Sequence, residues 1–560
     1  MSIELVLALI AGVMVIVFAN SLSSKIGVAG PLILVAVGVA ISFIPAVSPL
    51  SVPPELILNG VLPPLLFAAA VSAPAIEFRR DLSAISGLAV LLVIVSALVL
   101  GVLFAWAIPG IGFPLAVALG AIVSPTDAVA TSIVRKLGVP RRVVTVLEGE
   151  SLLNDASALV LLRTAIVAAA SGFSFLTTVG SFAWAVVSAI VIGALAGVVA
   201  LRLRAWTTSA TANTALGLTV PYLAFLPTEA LGGSGLVATV VAGVVCGQGS
   251  VRWLTPEQRV SDKLNWRTIE FVLEGAVFLL MGLQLYGIIV DNLSADAGLF
   301  TAVGIAALGF IGLILVRALY VVPMLSAHAA RVKRVVARRL EASTDHAGGH
   351  GHRPGRARRA ERISRMNADR EYFDAAPLTW RHQAVIVWAG MRGAVTLAAA
   401  QTLPESTPQR DLLIFVAFLI AAGSLLVQGL TLAPLVRLLG LKRPGAGGLP
   451  SAEIRTIDAA LREAAREAVE QGTVAGSAGA PCSDLITDVP PARLVSPLDP
   501  SDGAATAEAL ALQLALVEVK RARLHELGRS GRYSTTALRY VLDELDAYEI
   551  SVKLHLESEK

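Results

Sequence analysis

The residues best placed to do chemistry lie in "EGESLLNDASALVLL", Glu148 to Leu162. Three carboxylates, an asparagine and two serines interrupt a run that otherwise reads as a membrane-crossing helix. A charge at the centre of such a helix costs about 2.5–3.5 kcal/mol on insertion scales. Helical residues three and four apart share a face, so Glu148, Ser151 and Asp155 stack on one face and Glu150 and Asn154 line the adjacent stripe. Glu148 adjoins a basic connection and fits the interface, whereas Glu150 and Asp155 belong deeper. A structural polar cluster is the plain alternative, but intramembrane carboxylates mark ion or proton paths by default.

Two further stretches could complete a site. In "AIVSPTDAVATSIV", Pro125 has no N–H and disturbs the helix one turn back, with Ser124, Thr126 and Asp127 around the break. Backbone groups freed inside a membrane must be satisfied there, and in a cavity they can coordinate a cation. Oxygen donors of this kind suit a small hard cation such as Na+. In "VWAGMRGAVTLAAA", Arg392 lies within a span, flanked by Gly390 and Gly393. Arginine keeps its proton, so a carboxylate partner is expected. Glu150 is the candidate, because a fixed cation on Asp155 would compete with a transported one. Arg163 and Arg317 read as side chains that snorkel from span ends. Glu274, in "EFVLEGAVFLLMGLQL", fits a structural and a functional role equally.

The elements that position these residues follow from composition. The chain has 560 residues, 55% hydrophobic and 15% charged, against about 25% charged in soluble domains. Its mean hydropathy is +0.73. Thirteen apolar segments are expected, near 3–20, 27–45, 56–74, 84–107, 112–134, 143–170, 180–201, 211–227, 234–247, 269–290, 298–325, 382–402 and 411–438. The first lacks a basic leader and an A-x-A site, so it reads as a span. Lys and Arg concentrate in every second connection, among them Arg79-Arg80, Arg135-Lys136 and Arg141-Arg142. By the positive-inside rule the N-terminus is then outside and the C-terminus cytoplasmic.

Residues 1–440 are thus expected to form the transmembrane domain, with a basic cytoplasmic loop at 326–381 and a cytoplasmic tail at 441–560. His346, His350 and His352 sit in a Gly-rich part of the loop that fixes no metal geometry, and a solvated segment near anionic lipid is the better reading. Helical periodicity marks 451–471, 504–529 and 532–557 in the tail, a helical appendage for regulation or self-association. Cys246 and Cys482 imply neither a disulfide framework nor a metal cluster. The net charge of +4 gives no reason to expect a nucleic-acid partner.

"SPTDAVA", "EGESLLNDASA" and "MRGAVTLA", in that order, resemble the monovalent cation:proton antiporter family in its bacterial sodium/proton exchanger branch. "LEGAVFLLMGLQ" and "VQGLTLAPL" fit as well, and the resemblance covers about residues 5–440. It implies an all-α polytopic fold of two inverted-topology repeats with unwound crossing helices, working as a homodimer in the cell membrane without a cofactor. It makes Asp155 the shared Na+ and proton carrier, with Ser151 and the Thr126 backbone completing the cation shell. Asp127 and Asn154 would hold the crossing, with Glu150 and Arg392 in electrostatic support. The Asn154-Asp155 pair implies electroneutral exchange. One departure stands out: "LPPLLFAAA" puts Ala68 where the family often has an acid, which shifts the expected pairing of Arg392 onto Glu150.

Potassium, or lithium, in place of sodium is the alternative within this reading, since cavity size decides selectivity. An intramembrane hydrolase is a different class of reading. "GGSG" offers Ser234 as nucleophile, but the one histidine near a span, His382, gives it no evident base.

Overall fold

The structure is a computed structural model and describes residues 3–26, 28–44, 53–171, 175–207, 209–294, 298–345, 369–373, 377–441, 450–471 and 503–558. The expectations for His346, His350, His352 and Cys482 lie outside the described residues. The described residues form helices and connections, with no strand among them. Only a helix or a closed barrel satisfies every backbone group in hydrocarbon, and these apolar runs are helices.

The chain divides into two compact units. The first comprises Met1–Trp253, Asp262–Val332 and Ala376–Gly447. Besides the short helices Ala75–Arg80 and Leu285–Ser294, its helices are α1 (Ile3–Ile26), α2 (Gly30–Ser42), α3 (Leu56–Ser72), α4 (Leu82–Ala107), α5 (Phe113–Val123), α6 (Val129–Lys136), α7 (Arg141–Ser171), α8 (Phe175–Ala205) and α9 (Ala210–Ala230). They continue as α10 (Gly235–Trp253), α11 (Pro256–Leu283), α12 (Leu299–Asp345), α13 (Trp380–Trp388), α14 (Ala394–Gln401) and α15 (Arg410–Leu438). Among the described residues, eight helices are long and apolar enough to cross a membrane by themselves, and α2, α3 and α5 are shorter apolar helices. The remaining two expected segments correspond to α9 and to the broken pair α13–α14.

One expectation is corrected. The segment after position 325 was read as loop, yet α12 runs on to Asp345. Its continuation, "ARVKRVVARRLEAS", is dominated by Ala, Arg, Lys, Leu and Glu, which are strong helix formers. Polarity there marks the end of the apolar span and not the end of the helix.

Among the described residues, three clusters of buried side chains hold this unit together. One joins Leu62, Leu66 and Ala70 of α3 to Leu152 and Ala156 of α7, Phe225 of α9 and Leu236 and Val240 of α10. The other two differ in size. The larger draws on α4, α5, α7 and α12–α15. The smaller joins Phe67 and Ala68 of α3 to α8, α9, α10 and Trp266 of α11. Small residues let membrane helices approach closely: a Cβ on Gly197 of α8 would come within 2.9 Å of the Val245 side chain on α10.

The second unit comprises Leu254–Ser261, Lys333–Ala375 and Gly448–Lys560. It contains α16 (Ser451–Glu470), α17 (Gly503–Ser530) and α18 (Thr535–Ser558). Ile457, Leu461, Val517, Leu524, Val541 and Leu545 are buried in it. Asp546, 2% exposed, pairs with Arg259 and Arg521.

Candidate functional site

The site is built from two interruptions. Helix α5 stops at Val123 and α6 starts at Val129, leaving 124–128 non-helical around Pro125. Helix α13 stops at Trp388 and α14 starts at Ala394, leaving 389–393 non-helical. The two breaks cross in direct contact, with the Asp127 N–H donating to the Met391 carbonyl at 2.7 Å.

Each break exposes helix ends, whose backbone groups have no intrahelical partner. At the C-terminal end of α5, the Ser124 hydroxyl donates to the Gly120 carbonyl at 2.7 Å. The Arg392 Nε donates to the Val123 carbonyl at 2.8 Å, and its Nη1 to the Gly390 carbonyl just past α13. At the N-terminal end of α6, the Val129 N–H donates to the Asp127 Oδ1 at 3.1 Å. Arg392 is held in turn by its own N–H, which donates to the Ser424 hydroxyl at 3.0 Å. A cation therefore sits at helix C-termini and an anion at a helix N-terminus, the arrangement that the helix dipoles favour.

The expected pairing of Arg392 with Glu150 is not what forms. Glu150 is clamped by Arg317 of α12, whose Nη1 and Nη2 donate to its two carboxylate oxygens, the latter at 2.8 Å. Both side chains are essentially sealed from solvent. Arg317 also donates to the Ile386 carbonyl of α13, at 3.2 Å from Nε and 3.0 Å from Nη2. Arg317 does not snorkel, because it lies near the middle of the span Leu299–Arg331, several turns from either end. That central position was the available sign. Backbone carbonyls accept the hydrogen bonds that Arg392 donates, so Arg392 finds partners without a carboxylate at position 68, where Ala68 is buried against α10. Arg163 pairs with Glu229 at 2.6 Å and is exposed.

Helix α7 brings the remaining residues to the crossing. The Asn154 Nδ2 donates to the Thr126 hydroxyl at 2.6 Å, and that hydroxyl donates to the Glu150 Oε1 at 3.3 Å. Glu150 and Asn154 are buried, while Ser151, Asp155 and Asp127 are half-buried. Glu148 pairs with Arg135 of α6. Asp155 makes no hydrogen bond or ion pair with the described residues. Glu274 lies half-buried on α11.

Two interrupted helices that cross among membrane-spanning helices are the arrangement in which secondary transporters hold small ions. The chain belongs to the sodium/hydrogen exchanger transmembrane family, whose model matches residues 10–438. A protein of Mycobacterium tuberculosis, named as an uncharacterized Na+/H+ exchanger, is 29% identical over 442 residues, 77% of this chain and 73% of that protein. The Na+/H+ antiporter ApNhaP of Aphanothece halophytica is 29% identical over 414 residues, 73% of this chain and 69% of that protein. The fold is similar to that of the sodium proton antiporter MjNhaP1 from Methanocaldococcus jannaschii at pH 8, with a TM-score of 0.57 and 16% identity over 78% of this chain and all of that one.

Proposed function

We propose that this chain exchanges Na+ for H+ across the cell membrane by alternating access, with Asp155 binding the two ions in turn. One observation carries this reading: among the described residues of α5, α6 and α7, which build the crossing, Asp155 is the carboxylate without a hydrogen bond or ion pair; Glu274, also without one, lies on α11. Glu150 is neutralised by Arg317, Glu148 by Arg135, and Asp127 serves a helix end. A free carboxylate can take a proton or a sodium ion, and either makes the site neutral. An empty, charged site is held back by the cost of desolvation. Ser151 and the Thr126 backbone supply the other oxygens of the cation shell, with Asp127 beside them.

One carboxylate exchanging one proton for one sodium moves no net charge, so the exchange is electroneutral. Sodium is favoured over potassium by the Na+/H+ antiport named for relatives such as ApNhaP; lithium is named with sodium, potassium and rubidium for a Bacillus pumilus relative. The basic connections put the C-terminal helices in the cytoplasm and the N-terminus outside, in a homodimer whose cytoplasmic helices regulate exchange or self-associate.

The test is flux into proteoliposomes. Because protons and sodium compete for one site, each unit of acidification below the site's pKa should raise the apparent KM for Na+ about tenfold, by mass action. A potential imposed at matched pH should drive no sodium movement, although a net charge would feel about 2.3 kcal/mol per 100 mV. A KM for Na+ independent of pH would contradict the shared site, voltage-driven uptake would contradict electroneutrality, and potassium flux exceeding sodium flux would contradict the selectivity.

A further inference from the structure

Gly393 lies at the second break, immediately before α14, with φ −113° and ψ −170°. Any L-residue adopts that backbone, so conformation does not call for glycine. Space does. A Cβ built on residue 393 would overlap the Asp127 Oδ2, and would lie 2.6 Å from the Asp127 Cγ and 3.1 Å from its Cβ. The carboxylate therefore occupies the volume that any other side chain at 393 would take. Its Oδ1 accepts from the Val129 N–H of α6, its Oδ2 rests on the start of α14, and the Asp127 N–H reaches Met391.

We propose that Gly393 is a positioning residue for the transport site. Its missing side chain lets the carboxylate that caps α6 lie directly against the start of α14, and so fixes the crossing that presents Thr126. This rests on the reading of the crossing as the site of exchange. Arg392 performs the complementary task at the C-terminal ends of α5 and α13. With alanine at 393, the end of a short side chain is what must give way, and backbone need not move. Asp127 would swing off α14, and the cation shell would loosen.

The experiment measures Na+ affinity through the thermal stabilisation that Na+ gives the purified full-length protein, together with exchange in proteoliposomes. If the wild-type protein shows neither sodium stabilisation nor exchange, the functional reading fails, independently of Gly393. With wild-type binding in hand, Gly393→Ala should weaken the apparent Na+ affinity about tenfold, the factor that corresponds to one charge-assisted cap. Gly423→Ala, where a Cβ meets nothing within 4 Å, should leave it unchanged. In an Asp127→Ala background, where no atom beyond Cβ remains at 127, the same alanine should lower the melting temperature less than it does in the wild-type protein. If Gly393→Ala fails to express, Asp127→Ala with Gly393→Ala should restore expression. The proposal is overturned by a Gly393→Ala protein with wild-type Na+ affinity, or by an alanine that costs as much in the Asp127→Ala background as in the wild-type one. Failure of Asp127→Ala to restore an unexpressed Gly393→Ala protein overturns it too.

Discussion

The crossing of the first unit and the helical bundle of the second both bury charge, and they satisfy it differently. In the bundle, side chains answer side chains. Asp546 takes Arg259 and Arg521, and Glu549 takes Arg521 and Lys553. At the crossing, side chains largely answer the backbone: Arg392 donates to carbonyls, Arg317 divides itself between Glu150 and the Ile386 carbonyl, and Asp127 accepts from an N–H. The bundle's helices are unbroken, so side chains meet its backbone only at helix ends and connections, as where the Ser534 N–H donates to Glu453 at 2.8 Å and Arg259 also donates to the Leu254 carbonyl. The crossing's helices are broken where water cannot repair them, so Arg392, Arg317 and Asp127 are each tied to backbone groups beside a break.

The sharpest test of this contrast is Arg317→Ala. It strands Glu150 in a sealed site, and breaking a buried pair by removing one partner costs about 3–5 kcal/mol. Folded yield and melting temperature should collapse, and adding Glu150→Gln should recover a substantial part of both. Arg392→Gln comes next. It leaves carbonyls short of donors but strands no carboxylate, so a cost of about 2–3 kcal/mol is expected, by the penalty for buried unsatisfied groups. Here adding Glu150→Gln should recover nothing. Recovery would mean that Glu150 answers to Arg392 after all.

Asp546→Asn in the bundle should cost less, about 1–2 kcal/mol, since its arginines can turn towards water. Proteolysis of the C-terminal helices would register it, and Na+ affinity measured on the intact protein would be the control. The bundle should also depend weakly on pH. Burial alone would raise the Glu549 pKa, but hydrogen bonds from Lys553 and Arg521 outweigh it and hold the pKa below the usual 4.5. Burial alone would lower that of Lys553, but its hydrogen bonds to Glu549 and Glu257 raise it above 10.5. A depressed carboxylate stabilises the fold above its unfolded pKa and loses that contribution as pH falls through the folded value. A raised lysine stabilises it below its unfolded pKa and loses that contribution as pH rises through the folded value. The contribution of Glu549 and Lys553 to protection of the bundle, read as the difference from a protein lacking both groups, should be flat between about pH 5 and 10 and fall outside that window. A maximum near pH 6 would contradict this assignment.

Much of the architecture was readable because membrane and helix periodicities are strong signals. The apolar runs became helices and Pro125 marked one break; the other, between the glycines around Arg392, was expected only through the unwound crossing helices that the resemblance implies. The three C-terminal helices fell within a few residues of their periodic segments. What was not readable is partner choice. Two arginines lie inside spans, and sequence does not say which one reaches Glu150 across 167 positions. Nor does it say that carbonyls can satisfy Arg392, because helix-end carbonyls exist only once the breaks are placed. The end of α12 was missed because polarity was taken for loop. The steric need for Gly393 shows only when Asp127 lies against it.

The central claim is that Asp155, the uncommitted carboxylate of the crossing, carries both ions, and Asp155→Asn tests it most directly. The substitution is near isosteric and removes a charge that no described partner neutralises, so the variant should insert, fold and melt close to the wild-type temperature. In sodium-loaded proteoliposomes it should show neither sodium-driven proton movement nor proton-driven sodium movement. Substantial sodium/proton exchange by a well-folded Asp155→Asn protein would contradict the account.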